Sequence, residues 1–146
     1  SLSFQQQVEV IQYDLQTHAW TPEALVIGNS FGAYLIAHAI LQLGNFPGKC
    51  LFLSPVLGAV KTTGMLFKPP KCGVLKDAIE NQSFPSIILD ILVGSRDEHF
   101  LPDVAGKLSQ ITKGETIIID NEGHRLSHET VKATFNSWLP ECKTDQ

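Results

Sequence analysis

The chain has 146 residues, 43% apolar and 18% charged, with a formal net charge of −4. That length fits one domain, 1–146, with a core that needs no covalent staples. The acidic balance and the lack of any Lys/Arg run argue against nucleic acid or an anionic membrane as partner.

In chain order, the first element is "SLSFQQQVEVIQYDLQ". Phe4, Val8, Ile11 and Leu15 recur there at spacings of four, three and four, so they share one helical face. Thr21-Pro22 marks a break. Four short apolar runs follow: "ALVIGN" (24–29), "KCLFLSP" (49–55), "SIILDILVG" (86–94) and "ETIIIDN" (115–121). They are nearly continuous in Val, Ile and Leu, the pattern of parallel strands covered on both faces. Helical patterns alternate with them. "FGAYLIAHAILQL" is apolar nearly all round, as a central helix pressed on a sheet is. "VLKDAIEN" (74–81) is a short candidate. "PDVAGKLSQI" starts at Pro102 and turns Val104, Leu108 and Ile111 to one side. "SHETVKATFNSWL" has Ser127 as N-cap, Glu129 in its first turn, and Val131, Phe135 and Trp138 inward. The alternation predicts an α/β three-layer domain, a mostly parallel sheet of about four strands flanked by helices. Ligands in such sheets gather at the carboxyl ends of the strands.

Between the first strand and its helix lies "GNSFG", which fits G-x-S-x-G with Ser30 at the centre. A strand that turns sharply into a helix strains its apex residue, and small neighbours such as Gly28 and Gly32 leave room for the close approach. The apex hydroxyl then stands above the sheet at the amino end of the helix. There the Phe31 N–H and the helix dipole can stabilise a developing oxyanion. The plain alternative is a glycine-rich turn with an inert serine. A nucleophilic serine needs a histidine base, and the base needs an orienting carboxylate. Both follow in chain order, each just after a predicted strand: Asp97 in "ILVGSRDEHFLP" and His124 in "IIIDNEGHRLSH". The second strand ends in Ser54-Pro55 and offers no such group.

On these residues the chain resembles the carboxyl-terminal part of the α/β-hydrolase fold superfamily, from the helix before the nucleophile strand to the last helix. Its small serine hydrolases and esterases are the nearest in kind. The resemblance implies a truncated or reduced α/β-hydrolase fold, with the N-terminal strands of the usual fold absent. It implies Ser30 as nucleophile, His124 as general base, Asp97 as orienting acid, and Phe31 as one oxyanion N–H. "GSRDEHFLP" resembles the family's Gly…Asp…Pro segment, its proline one residue late, and "EGHRL" resembles the Gly-His of the histidine loop. Asn29 stands where the family usually has Gly, His or a similar residue. The family's earlier loop, often His-Gly rich, supplies a second oxyanion donor and has no counterpart here. Losing one such donor costs around 10²–10³ in rate. The first strand would also leave a hydrogen-bonding edge open near residues 24–29. The chain is then a fragment, or a second copy or other partner covers that edge, or the domain is a reduced relative.

Other residues compete for these roles. Glu98 and Asp103 are alternative acids. Asp90 stands within an apolar strand, at a strand end, at a bulge, or as a hydrogen-bond acceptor. His99 is the chief rival of His124. His18 reads as an exposed helix end, and His38 as structural or exposed. His124 and His128 have a zinc-like spacing, but the Glu of H-E-x-x-H is absent, so no metal and no cofactor is expected. "GAVKTTGMLFKPPKCG" (58–73) reads as a loop, short for a cap but long enough for a small lid. Met65, Leu66 and Phe67 there either line an apolar substrate pocket or cover the core.

The expected activity is acyl transfer on a small, uncharged or apolar ester, thioester or amide. A non-catalytic binding or assembly module of the same fold is the alternative. "GNSFG" lacks the Lys-Ser/Thr of a P-loop, which disfavours a nucleotide-binding domain. No stretch approaches the roughly 20 apolar residues of a membrane span, and "SLSFQQQVEV" does not read as a signal peptide. Cys50, Cys72 and Cys142 leave an odd thiol over and fit a reducing, cytoplasmic setting.

Overall fold

A computed structural model describes residues 1–139, so Cys142 lies outside the described residues. The elements are α1 (Phe4–His18), β1 (Leu25–Asn29), α2 (Phe31–Leu43), β2 (Lys49–Leu53), β3 (Val60–Thr62), β4 (Met65–Phe67), α3 (Cys72–Glu80), β5 (Ile88–Gly94), α4 (Pro102–Ile111), β6 (Thr116–Ile119) and α5 (His128–Trp138). Four strands form one sheet in the order β1-β2-β5-β6, and every pair is parallel.

The strand order advances in one direction, so right-handed crossovers deliver α2, α3 and α4 to the same face. Side-chain alternation follows that assignment. Cys50 and Phe52 of β2, with Leu89 and Ile91 of β5, join Tyr34, Ile40, Leu75, Ile79 and Leu108 in the main core. Leu51, Leu53 and Leu92 are one residue out of step, so they point the other way and meet Phe135 and Trp138 of α5. The result is the expected three-layer α/β arrangement. A buried ring such as Phe52, with no exposed surface, anchors it; Phe-to-Ala changes at such sites cost about 3–5 kcal/mol.

α1 begins in a capping box. The Ser3 hydroxyl accepts from the Gln6 N–H, and the Gln6 side chain accepts from the Ser3 N–H. Its Val8 and Leu15 are buried on the main core, with Phe4 and Ile11 packed beside them. Asp90, inside β5, accepts from the Glu115 N–H at 3.0 Å and from the Trp138 indole at 3.0 Å. The carboxylate therefore ties the start of β6 and the end of α5 to the middle of the sheet.

Three sequence expectations need correction. The apolar runs predict strands covered on both faces, and β2 and β5 fit beyond their exposed first residues, Lys49 and Ile88. β1 and β6 are the sheet's edges, where Ile27, Ile117 and Ile118 are 41%, 38% and 56% exposed. Residues 58–73 are not simply a loop. They hold the antiparallel hairpin β3–β4, with Thr62 opposite Met65, closed by Thr63 and Gly64. Both turn residues have positive φ, 47° and 79°, the twist that suits two-residue hairpin loops. Finally, α3 starts at Cys72, two residues before the predicted helix.

Candidate active site

Ser30 sits between β1 and α2 with φ 55° and ψ −118°, a conformation an L-residue adopts only under strain. A serine before a helix ordinarily caps it through its hydroxyl. Here the strained backbone turns Oγ away, and the side chain makes no capping bond. Its backbone is fixed on both sides: the Ser30 N–H donates to Leu53 O at 2.9 Å, and Ser30 O accepts from the Val56 N–H at 3.1 Å. Gly28 makes the bend possible, since a Cβ there would lie 2.8 Å from Ala33 Cα and 2.8 Å from Ile36 Cδ1. Gly32 is different. A Cβ there meets nothing within 4 Å, so its smallness is not needed for the approach the sequence pattern implies.

The freed Oγ lies 2.8 Å from His124 Nε2. On the far side of the ring, His124 Nδ1 is 3.1 and 3.0 Å from the two Asp97 carboxylate oxygens. A carboxylate only accepts, so Nδ1 carries the proton and Nε2 is left to accept from Ser30. The Asp97 side chain is fully buried and also accepts from the His99 N–H at 2.8 Å. Of the three candidate acids, it is Asp97 that meets His124; Glu98 and Asp103 are exposed.

Each group stands just past the carboxyl end of a parallel strand: Ser30 after β1, Asp97 after β5 and His124 after β6. Backbone bonds stitch the last two loops together. The Ser95 N–H donates to Ile119 O and the Arg96 N–H to Glu122 O, both at 2.8 Å. The Asn121 N–H donates to Ser95 Oγ at 2.9 Å, and Arg96 Nη2 donates to Asn121 Oδ1 at 3.1 Å. Gly94 lets the loops touch, because a Cβ there would fall 2.2 Å from Glu122 O. Glu122 then locks the histidine loop to α5, accepting from Thr130 Oγ1 and from Ser127 N–H and Oγ. These bonds, the Thr130 hydroxyl first, hold its carboxyl below the usual glutamate range. Gly94 is the glycine of the Gly…Asp…Pro segment, and its contact with Glu122 explains why that glycine is needed. Glu122 does not stand out in the sequence, because its partners lie beyond the motif.

The Phe31 N–H belongs to the first turn of α2, where amides have no intrahelical acceptor, and it follows Ser30 directly. Two cavities flank Ser30. One, of 370 Å³, is lined by Asn29, Leu53, Leu126 and Val131. The other, of 520 Å³, is walled by Phe31, Val56, Phe67 and Pro69-Pro70, with Lys68 and His99 at its border. Tyr34 Oη donates to Pro70 O at 2.5 Å and so fixes that wall; burial, then the nearby Cys72 thiol, pushes its hydroxyl pKa up. Phe67 thus reaches the site. Met65 and Leu66 are 73% and 66% exposed and line neither cavity.

The remaining histidines separate cleanly. His18 is exposed at the end of α1, and His128 is exposed at the start of α5. His38 is buried against the Phe4 and Tyr34 rings, at 5.1 and 4.6 Å, and its Nε2 has no hydrogen-bond partner. Burial, with Lys71 adding to it, pulls its pKa down to about 4. His99 lies beside His124, the two rings 4.6 Å apart. Cys50 is buried and its thiol is pushed up to about 12, which makes it inert at neutral pH. No helix among the described residues is long and apolar enough to cross a membrane.

No family model and no curated protein matches the sequence. Solved structures do. A monoacylglycerol lipase from Paleococcus ferrophilus is 12% identical with a TM-score of 0.71, over 94% of this chain and 75% of its own. The esterase domain of a Rhodothermus marinus protein is 18% identical with a TM-score of 0.58, over 94% and 67%. A Thermoplasma acidophilum protein described as a "predicted CIB-like hydrolase" is 14% identical with a TM-score of 0.62, over 93% of this chain. The chain spans 59% of that protein's length. The chain has the α/β-hydrolase fold.

Proposed function

We propose that the protein is a serine hydrolase of esterase, thioesterase or amidase type. The observation that carries this reading is the unbroken hydrogen-bond chain from Ser30 Oγ through His124 to Asp97, at 2.8 and 3.0 Å. A capped or solvated serine would leave Oγ on its own helix; this one is held by strain against an imidazole. Solved structures with this fold, a monoacylglycerol lipase and an esterase domain among them, support the same reaction class.

The chemistry follows from the atoms. Ser30 Oγ attacks the acyl carbon while His124 Nε2 takes its proton, and Asp97 stabilises the imidazolium and holds the ring. The carbonyl oxygen gains charge and turns towards the Phe31 N–H and the amino end of α2. His124 returns the proton to the leaving group as the acyl–oxygen, –sulfur or –nitrogen bond breaks. Water then attacks the acyl carbon while His124 takes its proton; His124 returns that proton to Ser30 Oγ as the acyl–Oγ bond breaks, and the acid leaves. Nucleophile, base, acid and one oxyanion donor come from this chain's own residues, and the reaction as written uses neither metal nor cofactor. The substrate is a small molecule with an uncharged or apolar acyl group, to be held in the 520 Å³ cavity between Phe67, Val56 and the Pro69-Pro70 wall. The two-proline wall and the hairpin are the small lid of this reading. Free, buried Cys50 supports a cytoplasmic setting as part of the same proposal.

A panel of p-nitrophenyl esters of increasing acyl length tests the reaction class. Turnover that depends on Ser30 and favours short or medium apolar acyl groups is the expected result. A folded protein without Ser30-dependent turnover on any ester, thioester or anilide would leave the binding-module alternative standing.

A further inference from the structure

His99 has no role in the acyl-transfer scheme, yet its ring is packed into the same corner. Its Nδ1 is shielded from solvent and has no hydrogen-bond partner. That nitrogen is 3.7 Å from Asp97 Oδ1, and the same oxygen is 3.1 Å from His124 Nδ1. One ligand atom from each of Asp97, His99 and His124 lies within 4.8 Å of the other two. Tetrahedral zinc, with bonds of about 2.0–2.2 Å, holds its donors roughly 3.3–3.5 Å apart. The two separations from Asp97 Oδ1 bracket that value, and the two histidine donors lie within 4.8 Å of each other.

We propose that Asp97, His99 and His124 form a binding site for a transition-metal cation, Zn²⁺ fitting best, and that the bound ion switches the serine site off. Two imidazoles and one carboxylate suit zinc, copper or nickel rather than magnesium or calcium, which prefer all-oxygen sets. Three protein ligands leave a fourth position to water, as in three-ligand zinc sites.

The inhibition rests on the hydrolase reading and follows from the tautomer. A neutral imidazole has one N–H and one lone pair. When the metal takes the lone pair at His124 Nδ1, the proton must move to Nε2, the atom facing Ser30 Oγ. Nε2 is then a donor and has no lone pair for the serine proton. The Asp97 carboxylate is drawn to the cation at the same time and no longer orients the ring. No bond to the substrate is involved, and removing the metal restores the original tautomer. The sequence hides this set because the zinc-like spacing points to His124 and His128, whereas the fold brings in His99 from the preceding loop.

Calorimetric titration with ZnCl₂, alongside thermal melts, tests the site without reference to activity. Wild-type and Ser30→Ala protein are expected to bind one ion per chain at this site and to melt higher with zinc, with Mg²⁺ at least 100-fold weaker. His99→Ala and His99→Gln, the second keeping the side chain's bulk, are expected to bind at least tenfold more weakly, since even the groups that support a ligand change affinity about 10–100-fold. Absence of binding, or binding that both folded His99 variants retain, as cysteine ligation would, overturns the site. Fluorophosphonate labelling tests the switch: zinc should suppress it in wild-type protein, and a chelator should restore it. Labelling unaffected by bound zinc overturns the inhibition. Metal-free protein that never labels instead sinks the hydrolase reading, and the titration still decides the site.

Discussion

Gly94→Ala should impair chemistry from a distance, and the structure sets how much. The new Cβ would lie 2.2 Å from Glu122 O, 2.4 Å from Glu122 C and 2.6 Å from Gly123 O. Carbon–oxygen contacts settle above about 3.2 Å, so the histidine loop must retreat by roughly 1 Å. That movement pulls on the 2.8 Å bond from Arg96 N–H to Glu122 O and carries His124, two residues on, away from Ser30. A 2.8 Å contact between Nε2 and Oγ stretched by about 1 Å no longer counts as a hydrogen bond. Misplacement of that size costs about 10²-fold in rate, or roughly 2.7 kcal/mol of barrier. The assay is the second-order rate of fluorophosphonate labelling, measured below the melting temperatures of both proteins. Gly123→Ala is the control from the same loop, because a Cβ there meets nothing within 4 Å; it should label within about threefold of wild type. If folded Gly94→Ala protein also labels within threefold, the loop is not positioned by this contact and the reasoning fails.

Asp97→Asn should lower turnover by about 10⁴-fold, because an amide facing Nδ1 favours the wrong imidazole tautomer. Exposed Glu98→Gln should change it less than threefold, and equal losses would refute the assignment of Asp97 as the acid. His38 predicts a pH effect on stability. Its native pKa of about 4 lies below the ordinary value near 6.5, so between those limits the unfolded chain binds a proton that the native chain does not. Stability must therefore fall as pH drops from about 6.5 to 4, by up to about 3 kcal/mol. Urea melts at both ends of the window measure it; His38→Gln should flatten the profile, and an unchanged slope would assign the effect elsewhere.

The sheet was legible because four runs of Val, Ile and Leu of strand length alternate with helical periods, and parallel topology follows from that alternation. The elbow was legible because Gly28 must be small where β1 meets α2, and the pentapeptide shows it. Coverage of the edge strands was not, since an apolar run does not say which neighbours arrive. The hairpin at 60–67 escaped because its strands are three residues long, too short for alternation. Its Thr63-Gly64 turn also lacks the Asn-Gly or Asp-Gly signal. Asp90 is understood only with Trp138 in view, 48 residues away. Glu122 and His99 share that problem: each acts through contacts between loops that no local pattern encodes. Gly32 errs in the other direction, matching the pattern without the crowding the pattern implies.

In this reading, strained Ser30 attacks with His124 as its base. The most direct measurement is the intact mass of the protein after incubation with a fluorophosphonate, followed by mapping of the modified peptide. The expected result is one adduct per chain, on Ser30, absent in Ser30→Ala and slowed by several orders of magnitude in His124→Ala. A folded wild-type protein that gains no adduct, or an adduct that persists in Ser30→Ala, would contradict it.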